Sequence, residues 1–268
     1  MFLAIDIGNS NIVLGLFSDN KLLYQYRIKS DSSKTIESYS LDLVELFLNS
    51  GIDCLKISNI AVASVVPDLT DILNQAFARF CNAQFIDFSK NINSLNVKID
   101  LKSEEEVGID RLVNAKIAFE KFGADLIVVD FGTATTFDVV GDKGQYLGGV
   151  IAPGVNLSIK ALHENTAKLP NINLKRQDNV IGKNTKEAMN SGIYFGYISL
   201  IEGLILRIKE EYQKDMKVIL TGGLSKLFSK ELKNINHIEP DLTIYGIKLI
   251  FDNYFKKSVD LKTINITN

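Results

Sequence analysis

A pattern repeated at half-chain distance constrains this chain more than any other feature. Residues 1–17 read M-F-L-A-I-D-I-G-N-S-N-I-V-L-G-L-F, an apolar run broken by an acid, a glycine and short polar residues. Residues 128–140 read V-V-D-F-G-T-A-T-T-F-D-V-V. Aligning Asp6 with Asp130 sets Gly8 on Gly132, Asn9 on Thr133 and Asn11 on Thr135. In both copies a strand-like run resumes after the polar turn. A second turn signal follows, S-D-N-K at 18–21 and G-D-K-G at 141–144. Each half therefore begins strand, Gly turn, strand, hairpin turn, strand, and self-similarity on this scale outweighs either copy alone.

Helical periodicity fills the rest of each half. Ile36, Tyr39, Leu43, Val44 and Phe47 recur at helical spacing, and Pro67-Asp68 opens a second run with Leu69, Ile72, Leu73, Ala76, Phe77 and Phe80. Between them, residues 59–66 (N-I-A-V-A-S-V-V) predict a buried strand. In the second half a long helix is predicted over Thr185–Tyr212, with Gly192, Gly196 and Gly203 as kink points. It leads to an apolar strand at 218–224 that ends in a Gly turn. The expected fold class is α/β, with mixed sheets flanked by helices in two similar halves.

Composition narrows the chemistry. The 268 residues carry a net charge of −2, with 46% hydrophobic and 23% charged residues, and contain no dense Lys/Arg run. A nucleic-acid partner is therefore not expected. Cys54 and Cys81 lie outside any C-x-x-C and read as reduced thiols. His163 and His237 are the only histidines, which argues against a zinc site or a His-based triad. The chemistry must rest on carboxylates, hydroxyls, amides, Arg/Lys and oxygen-bound metal. Asp6 interrupts any leader-like run, and no stretch of about 18 uncharged apolar residues occurs, so a soluble, cytoplasmic chain without a membrane partner is expected.

A buried strand has no use for an unpaired carboxylate. Asp6 alone would read as a turn-capping acid. Two strand–D-x-G–turn–strand units make sense around a polyphosphate: N–H groups of a Gly turn form an anion-binding concavity, and an Asp at a strand end can hold hydrated Mg²⁺. Gly222-Gly223 would let a third backbone segment approach an adenine or ribose. In G-I-D-R (108–111), Gly108 permits close approach, Asp110 can accept a proton and Arg111 can grip a carboxylate. The same residues could be an ordinary Asp/Arg pair in the first turn of a helix.

These motifs resemble the acetate and sugar kinase, heat-shock ATPase and actin superfamily, and type III pantothenate kinases in particular. The resemblance rests on D-I-G-N-S-N-I-V (6–13), G-I-D-R-L-V-N-A (108–115), D-F-G-T-A-T-T-F-D (130–138), G-G-V-I-A-P-G (148–154), N-T-K-E-A-M-N-S-G (184–192) and T-G-G (221–223). It implies two ribonuclease H-like domains of the duplicated actin-like ATPase fold, 1–118 and 119–268, and ATP-dependent phosphorylation of pantothenate at the start of coenzyme A synthesis. By the same resemblance Asp6, Ile7, Gly8, Asn9, Ser10, Asn11, Ile12 and Val13 form the first phosphate turn, Asp6 also places Mg²⁺, and Thr133 touches ATP. Gly108, Ile109, Asp110, Arg111 and Thr185 contact pantothenate, with Asp110 as general base. Asp130 ligates a monovalent cation, K⁺ or NH₄⁺, and the protein is a homodimer. Two positions depart from the family pattern: Leu101 stands where a substrate-binding Tyr is usual, and Glu104 where a Pro is usual. The alternatives are a kinase of the same fold acting on a sugar or small carboxylate, and a nucleotide-binding regulatory homologue without turnover.

The remaining signals are blander. Ile193, Tyr197, Leu200, Ile201 and Leu204 read as core or dimer contact, and His163 as a structural or surface residue. Pro153-Gly154 reads as a turn with some claim on a ligand, and Glu104 to Glu106 as a solvated face.

Overall fold

The structure is a computed structural model and describes residues 1–101, 107–123 and 125–264, with side chains of the last helix described up to Phe255. The elements, in chain order, are β1 (Phe2–Ile7), β2 (Asn11–Ser18), β3 (Lys21–Lys29), α1 (Ile36–Asn49), β4 (Asn59–Ser64), α2 (Pro67–Ala78), β5 (Gln84–Asp87) and α3 (Ile109–Phe122). Then follow β6 (Leu126–Phe131), β7 (Ala134–Val140), β8 (Tyr146–Pro153), α4 (Val155–Glu164), α5 (Thr185–Tyr212), β9 (Lys217–Gly222), α6 (Ser225–Phe228), β10 (His237–Ile238) and α7 (Leu242–Ile264).

The sequence repeat becomes a repeat of topology. One sheet has the order β3-β2-β1-β4-β5 and the other β8-β7-β6-β9-β10. In each, three antiparallel strands joined by tight turns are extended by two parallel strands. The repeat is not residue for residue. Gly8 N–H donates to Asn11 O, whereas Gly132 N–H donates to Ala134 O, both at 3.0 Å. The second turn is thus one residue shorter, and Asn11 corresponds to Ala134 instead of Thr135. Sequence alignment without a gap could not reveal this, because both turns keep the same D-x-G start.

Period-2 alternation sets what each sheet buries. On one face of the first sheet, Leu3, Ile5, Ile7, Ile12, Leu14 and Leu16 pack against Tyr39, Leu43 and Phe47 of α1 and Leu69, Leu73 and Phe77 of α2. Thr35 caps α1 by accepting from Ser38 N–H at 3.2 Å, and Pro67 occupies the first turn of α2, where a missing N–H costs nothing. Each fully buried Leu, Ile or Phe contributes about 1.5–3 kcal/mol, so these faces dominate local stability. Helix α7 supports the opposite face: the Phe251 ring lies 4.3 Å from that of Phe2, and a side chain on Gly15 would collide with Ile244. On the second sheet Ile127, Val129, Phe131, Phe137, Val139, Val218 and Leu220 face Val155 and Ile159 of α4 and Ile193, Tyr197, Ile201 and Ile205 of α5. The other face of that sheet carries Val128, Asp130, Thr136, Asp138, Ile219 and Thr221 by alternation and register.

The chain forms two compact units. The first comprises Met1–Val97, the segment up to Ile117 and the chain from Thr243; the second comprises the segment starting at Lys98 and Ala118–Leu242. The change of unit after Ile117 falls beside the expected boundary at 118/119, whereas the C-terminal helix, which the expected division 1–118 and 119–268 put in the second domain, clusters with the first unit because it packs on the first sheet and α3. Helix α5 runs unbroken through Gly192, Gly196 and Gly203. It is the one helix among the described residues long and apolar enough, by length and composition, to cross a membrane. The sequence criterion of an uncharged run missed it because Glu202 and Arg207 lie within it. Its buried side chains form the core of the second unit, as the stripe from Ile193 predicted.

Candidate active site

The first glycine turn, Gly8–Ser10, lies between β1 and β2. Its two outward residues, Asn9 and Ser10, are exposed. Asp6, next to last in β1, stands opposite Val13 of β2 and Ala63 of β4, and Ile7 pairs with Ile12. Ser30 clamps the turn from behind: its hydroxyl donates to Gly8 O at 2.6 Å and its N–H donates to Ser10 O at 3.1 Å. Two turn carbonyls are thereby engaged, so the turn's acceptors are not left to repel an anion. Ser30 carries no sequence signal, since its role depends on where β3 ends.

Gly108 immediately precedes α3, and Ile109, Asp110 and Arg111 form its first turn. Arg111 N–H donates to Asp110 Oδ1 at 2.9 Å and lies 3.1 Å from Gly108 O. The Asp110 carboxylate folds back so closely that a Cβ on Gly108 would stand 2.5 Å from Oδ1. Desolvation by the surrounding chain raises the Asp110 pKa above the ordinary carboxylate value. The Arg111 N–H and the Arg111 charge oppose the rise without cancelling it. That is the tuning a general base needs. Val65 joins this loop to the end of β1 beside the first glycine turn: its N–H donates to Ile7 O at 3.0 Å, and its Cγ1 lies 3.6 Å from the position of a Gly108 Cβ. Helix α7 fixes α3 from the other side. Thr243 Oγ1 donates to Asn114 Oδ1 at 2.8 Å, and Gly246 presses on Val113, where a Cβ would come within 2.6 Å of Cγ1.

The second turn, Gly132-Thr133, is exposed and follows Asp130 of β6. Gly154 packs directly on it, and a side chain there would overlap Thr133 O and Gly132 O. This glycine is therefore a support for the turn and not simply a bend. Tyr197 of α5 secures it: its hydroxyl donates to Pro153 O at 2.7 Å and meets Ser158 Oγ at 2.7 Å. Gly222, the third glycine turn, has φ +86°, and a Cβ there would lie 2.5 Å from Asp130 Oδ1 and 2.7 Å from Phe131 O. Gly222 is thus held against the Asp130 carboxylate, a contact that the sequence did not suggest. His163 is exposed, with Nδ1 2.8 Å from Leu169 O, as a structural histidine would be.

Thr185 opens α5 and is exposed. Asn184 caps the helix by accepting from Glu187 N–H at 3.0 Å, and Glu187 Oε2 accepts from Lys183 N–H at 2.7 Å. Gly182 packs against the backbone of Glu187 and Ala188, and Ser191 Oγ donates to Val180 O, so the preceding loop folds onto the first turns of the helix. Along α5, Thr185 lies about 18 Å from Tyr197, the residue by which this helix reaches the second turn. Leu101 is partly exposed beside Gly148. Glu104, Glu105 and Glu106 lie outside the described residues.

No cluster of His, Cys, Asp or Glu able to enclose a metal ion occurs among the described residues. The oxygen donors at the two strand ends nevertheless fit hydrated cations. Mg²⁺ is ordinarily held by one or two carboxylates together with substrate phosphates, without an all-protein cage. Asp6 and Asp130 each stand beside a Gly turn suited to those phosphates.

Two α/β units of one topology, each with a D-x-G turn between antiparallel strands, define the class: this is the duplicated, actin-like fold of ATPases and small-molecule kinases. Likeness to solved structures agrees at the level of fold. A putative Baf family transcriptional activator from Campylobacter jejuni matches with TM-score 0.59 at 20% identity, over 93% of this chain and 97% of that one. A reductive activator for corrinoid, iron–sulfur protein matches with TM-score 0.56 at 11% identity, over 98% of this chain and 62% of that one. The chain belongs to the type III pantothenate kinase family, whose profile matches residues 2–207. The type III pantothenate kinase of Paramagnetospirillum magneticum is 45% identical over 247 residues, covering 92% of this chain and 95% of its own length. That of Geotalea daltonii is 40% identical over 255 residues, covering 94% and 98%.

Proposed function

We propose that this chain transfers the γ-phosphoryl group of ATP to the primary hydroxyl of pantothenate, giving 4'-phosphopantothenate for coenzyme A synthesis. The observation that carries the reading is Asp110, a half-buried carboxylate of raised proton affinity, held by Arg111 N–H in a G-x-D-R segment. In the reaction a bond forms between the acceptor oxygen and the γ-phosphorus while the bond from that phosphorus to ADP breaks. The acceptor's proton passes to the Asp110 carboxylate. Phosphoryl transfer asks the protein mainly for positioning and charge complementarity, with a base for the hydroxyl. The Gly8–Ser10 and Gly132-Thr133 turns offer N–H donors to phosphate oxygens, and Arg111 and Thr185 are assigned to the acceptor. Asp6 would hold Mg²⁺ and Asp130 a K⁺ or NH₄⁺ ion, which when bound neutralise phosphate charge. Neither phosphate segment contains a Lys or Arg for that purpose.

A homodimer in the cytoplasm belongs to the same reading. The exposed apolar side chains of Ile151, Leu157 and Leu162 on β8 and α4, at 64%, 49% and 38% exposure, support the homodimer reading. The reduced Cys54 and Cys81 suit a cytoplasmic setting. A coupled assay of ATP consumption tests the function, with pantothenate set against a panel of sugars and acetate. Consumption with pantothenate alone is expected. Consumption with a sugar or acetate, or with no acceptor in the panel, would overturn the assignment.

A further inference from the structure

Behind the second phosphate turn, β7 carries a carboxylate for which the mechanism has no use. Asp138 is fully buried, and so is Tyr146, which at 1% exposure donates its hydroxyl proton to Asp138 Oδ1 at 2.9 Å. Thr136 Oγ1 donates to Asp138 Oδ2 at 3.3 Å. Burying a carboxylate is costly, and an apolar residue would fill the same space more cheaply. What the carboxylate does locally is fix a proton. A threonine hydroxyl has a single proton; with that proton directed to Asp138, the oxygen of Thr136 turns only lone pairs to anything else that approaches.

The direction matters because of where Thr136 stands. It is the cross-strand partner of Asp130. Directly opposed residues of an antiparallel pair share a face, with Cβ atoms about 4.5–5.5 Å apart. That face therefore carries a carboxylate and a hydroxyl at directly opposed positions of neighbouring strands. The donor set is all oxygen, as hard and monovalent cations require, and it would repel an anion that arrived alone.

Building on the reading of Asp130 as a cation-holding carboxylate, we infer that Thr136 is a second oxygen ligand of the same monovalent cation. Asp138, oriented by Tyr146, is the positioning residue that fixes the polarity of the Thr136 hydroxyl. Outer partners that orient metal ligands typically change metal affinity 10- to 100-fold when removed.

The test uses the purified full-length chain and a non-hydrolysable ATP analogue with Mg²⁺. Binding is measured by calorimetry in KCl and in NaCl at matched ionic strength, alongside the K⁺ concentration that half-maximally activates turnover. Wild type should bind the analogue more tightly in KCl. Thr136→Val should reduce the KCl-to-NaCl affinity ratio and raise the half-activating K⁺ concentration about tenfold. Thr136→Ser should restore both, and Tyr146→Phe and Asp138→Asn should shift them in the direction of Thr136→Val. If Thr136→Val keeps the wild-type ratio, or if Val and Ser impair it equally, the inference is overturned while Asp130 keeps its role. Identical wild-type binding in KCl and NaCl would overturn the reading of Asp130 and this inference with it. Should Asp138→Asn not fold, the Val/Ser pair at Thr136 still decides.

Discussion

Asp110 Oδ1 and Gly108 are in such close approach that a Cβ on Gly108 would stand 2.5 Å from the carboxylate oxygen. The glycine is required by its neighbour's side chain, since its own backbone φ is not in the left-handed region. Gly108→Ala should therefore leave the fold intact and push the carboxylate aside. A displacement of about 1 Å at a reacting group can cost about 10²-fold in rate. Steady-state kinetics should show that loss in kcat, with binding of the ATP analogue close to wild type. An unchanged kcat would mean that the carboxylate position is immaterial.

The raised pKa of Asp110 has two opposite consequences. As a base it must be ionised, so kcat should fall on the acid side along a limb lying above the ordinary carboxylate value of about 3.9. For stability, a carboxyl whose folded-state pKa is raised binds its proton more tightly when folded. Its contribution is complete below the unfolded pKa and is lost as pH rises through the folded value. Ionised Asp110 thus weakens the fold at neutral pH. Asp110→Asn should raise the thermal unfolding midpoint at neutral pH and lose that gain in acid, as scanning calorimetry at the two pH values would show.

Gly222 is constrained twice over, by its φ of +86° and by Asp130 Oδ1, which would lie 2.5 Å from the methyl carbon of an alanine at this position. Gly222→Ala should cost about 1–3 kcal/mol, the range for a non-glycine residue held in such a conformation. Urea denaturation measures this directly, and a change below about 0.5 kcal/mol, the range of ordinary surface substitutions, would contradict the packing described.

Tyr197 holds Pro153 O and Ser158 from α5. Tyr197→Phe should cost about 1 kcal/mol in stability and weaken ATP binding by loosening the Gly154 support under Thr133. Because Asp110 lies in the other unit, kcat at saturating ATP should change far less than the KM for ATP. A fall in kcat with KM unchanged would contradict this route.

Much of the fold was legible because its strongest signals are local. The doubled D-x-G pattern, the Pro67 helix start and the 28-residue α5 are written in periodicity and in breakers. The G-I-D-R segment was legible for a different reason: Gly, Asp and Arg within four residues restrict both backbone and charge. What sequence could not show depends on long-range register. Ser30 behind the first turn, Val65 beside Gly108 and Tyr197 beneath Pro153 acquire their roles only when distant elements pair. The one-residue difference between the turns lies in the hydrogen bonds of Gly8 and Gly132, which no gapless alignment exposes. Helix α7 stayed unread because its packing against α3 depends on Gly246, a residue that by composition argues against a helix.

In the proposed reaction Asp110 accepts the proton of the pantothenate hydroxyl as the γ-phosphoryl group is transferred. Phosphorus NMR of ATP with pantothenate, followed with wild type and Asp110→Asn side by side, tests it most directly. Wild type should convert the γ-phosphate signal into a phosphomonoester on pantothenate, and Asp110→Asn should do so about 10²- to 10⁴-fold more slowly while still binding the nucleotide. Phosphomonoester appearing at the same rate with both proteins would contradict it.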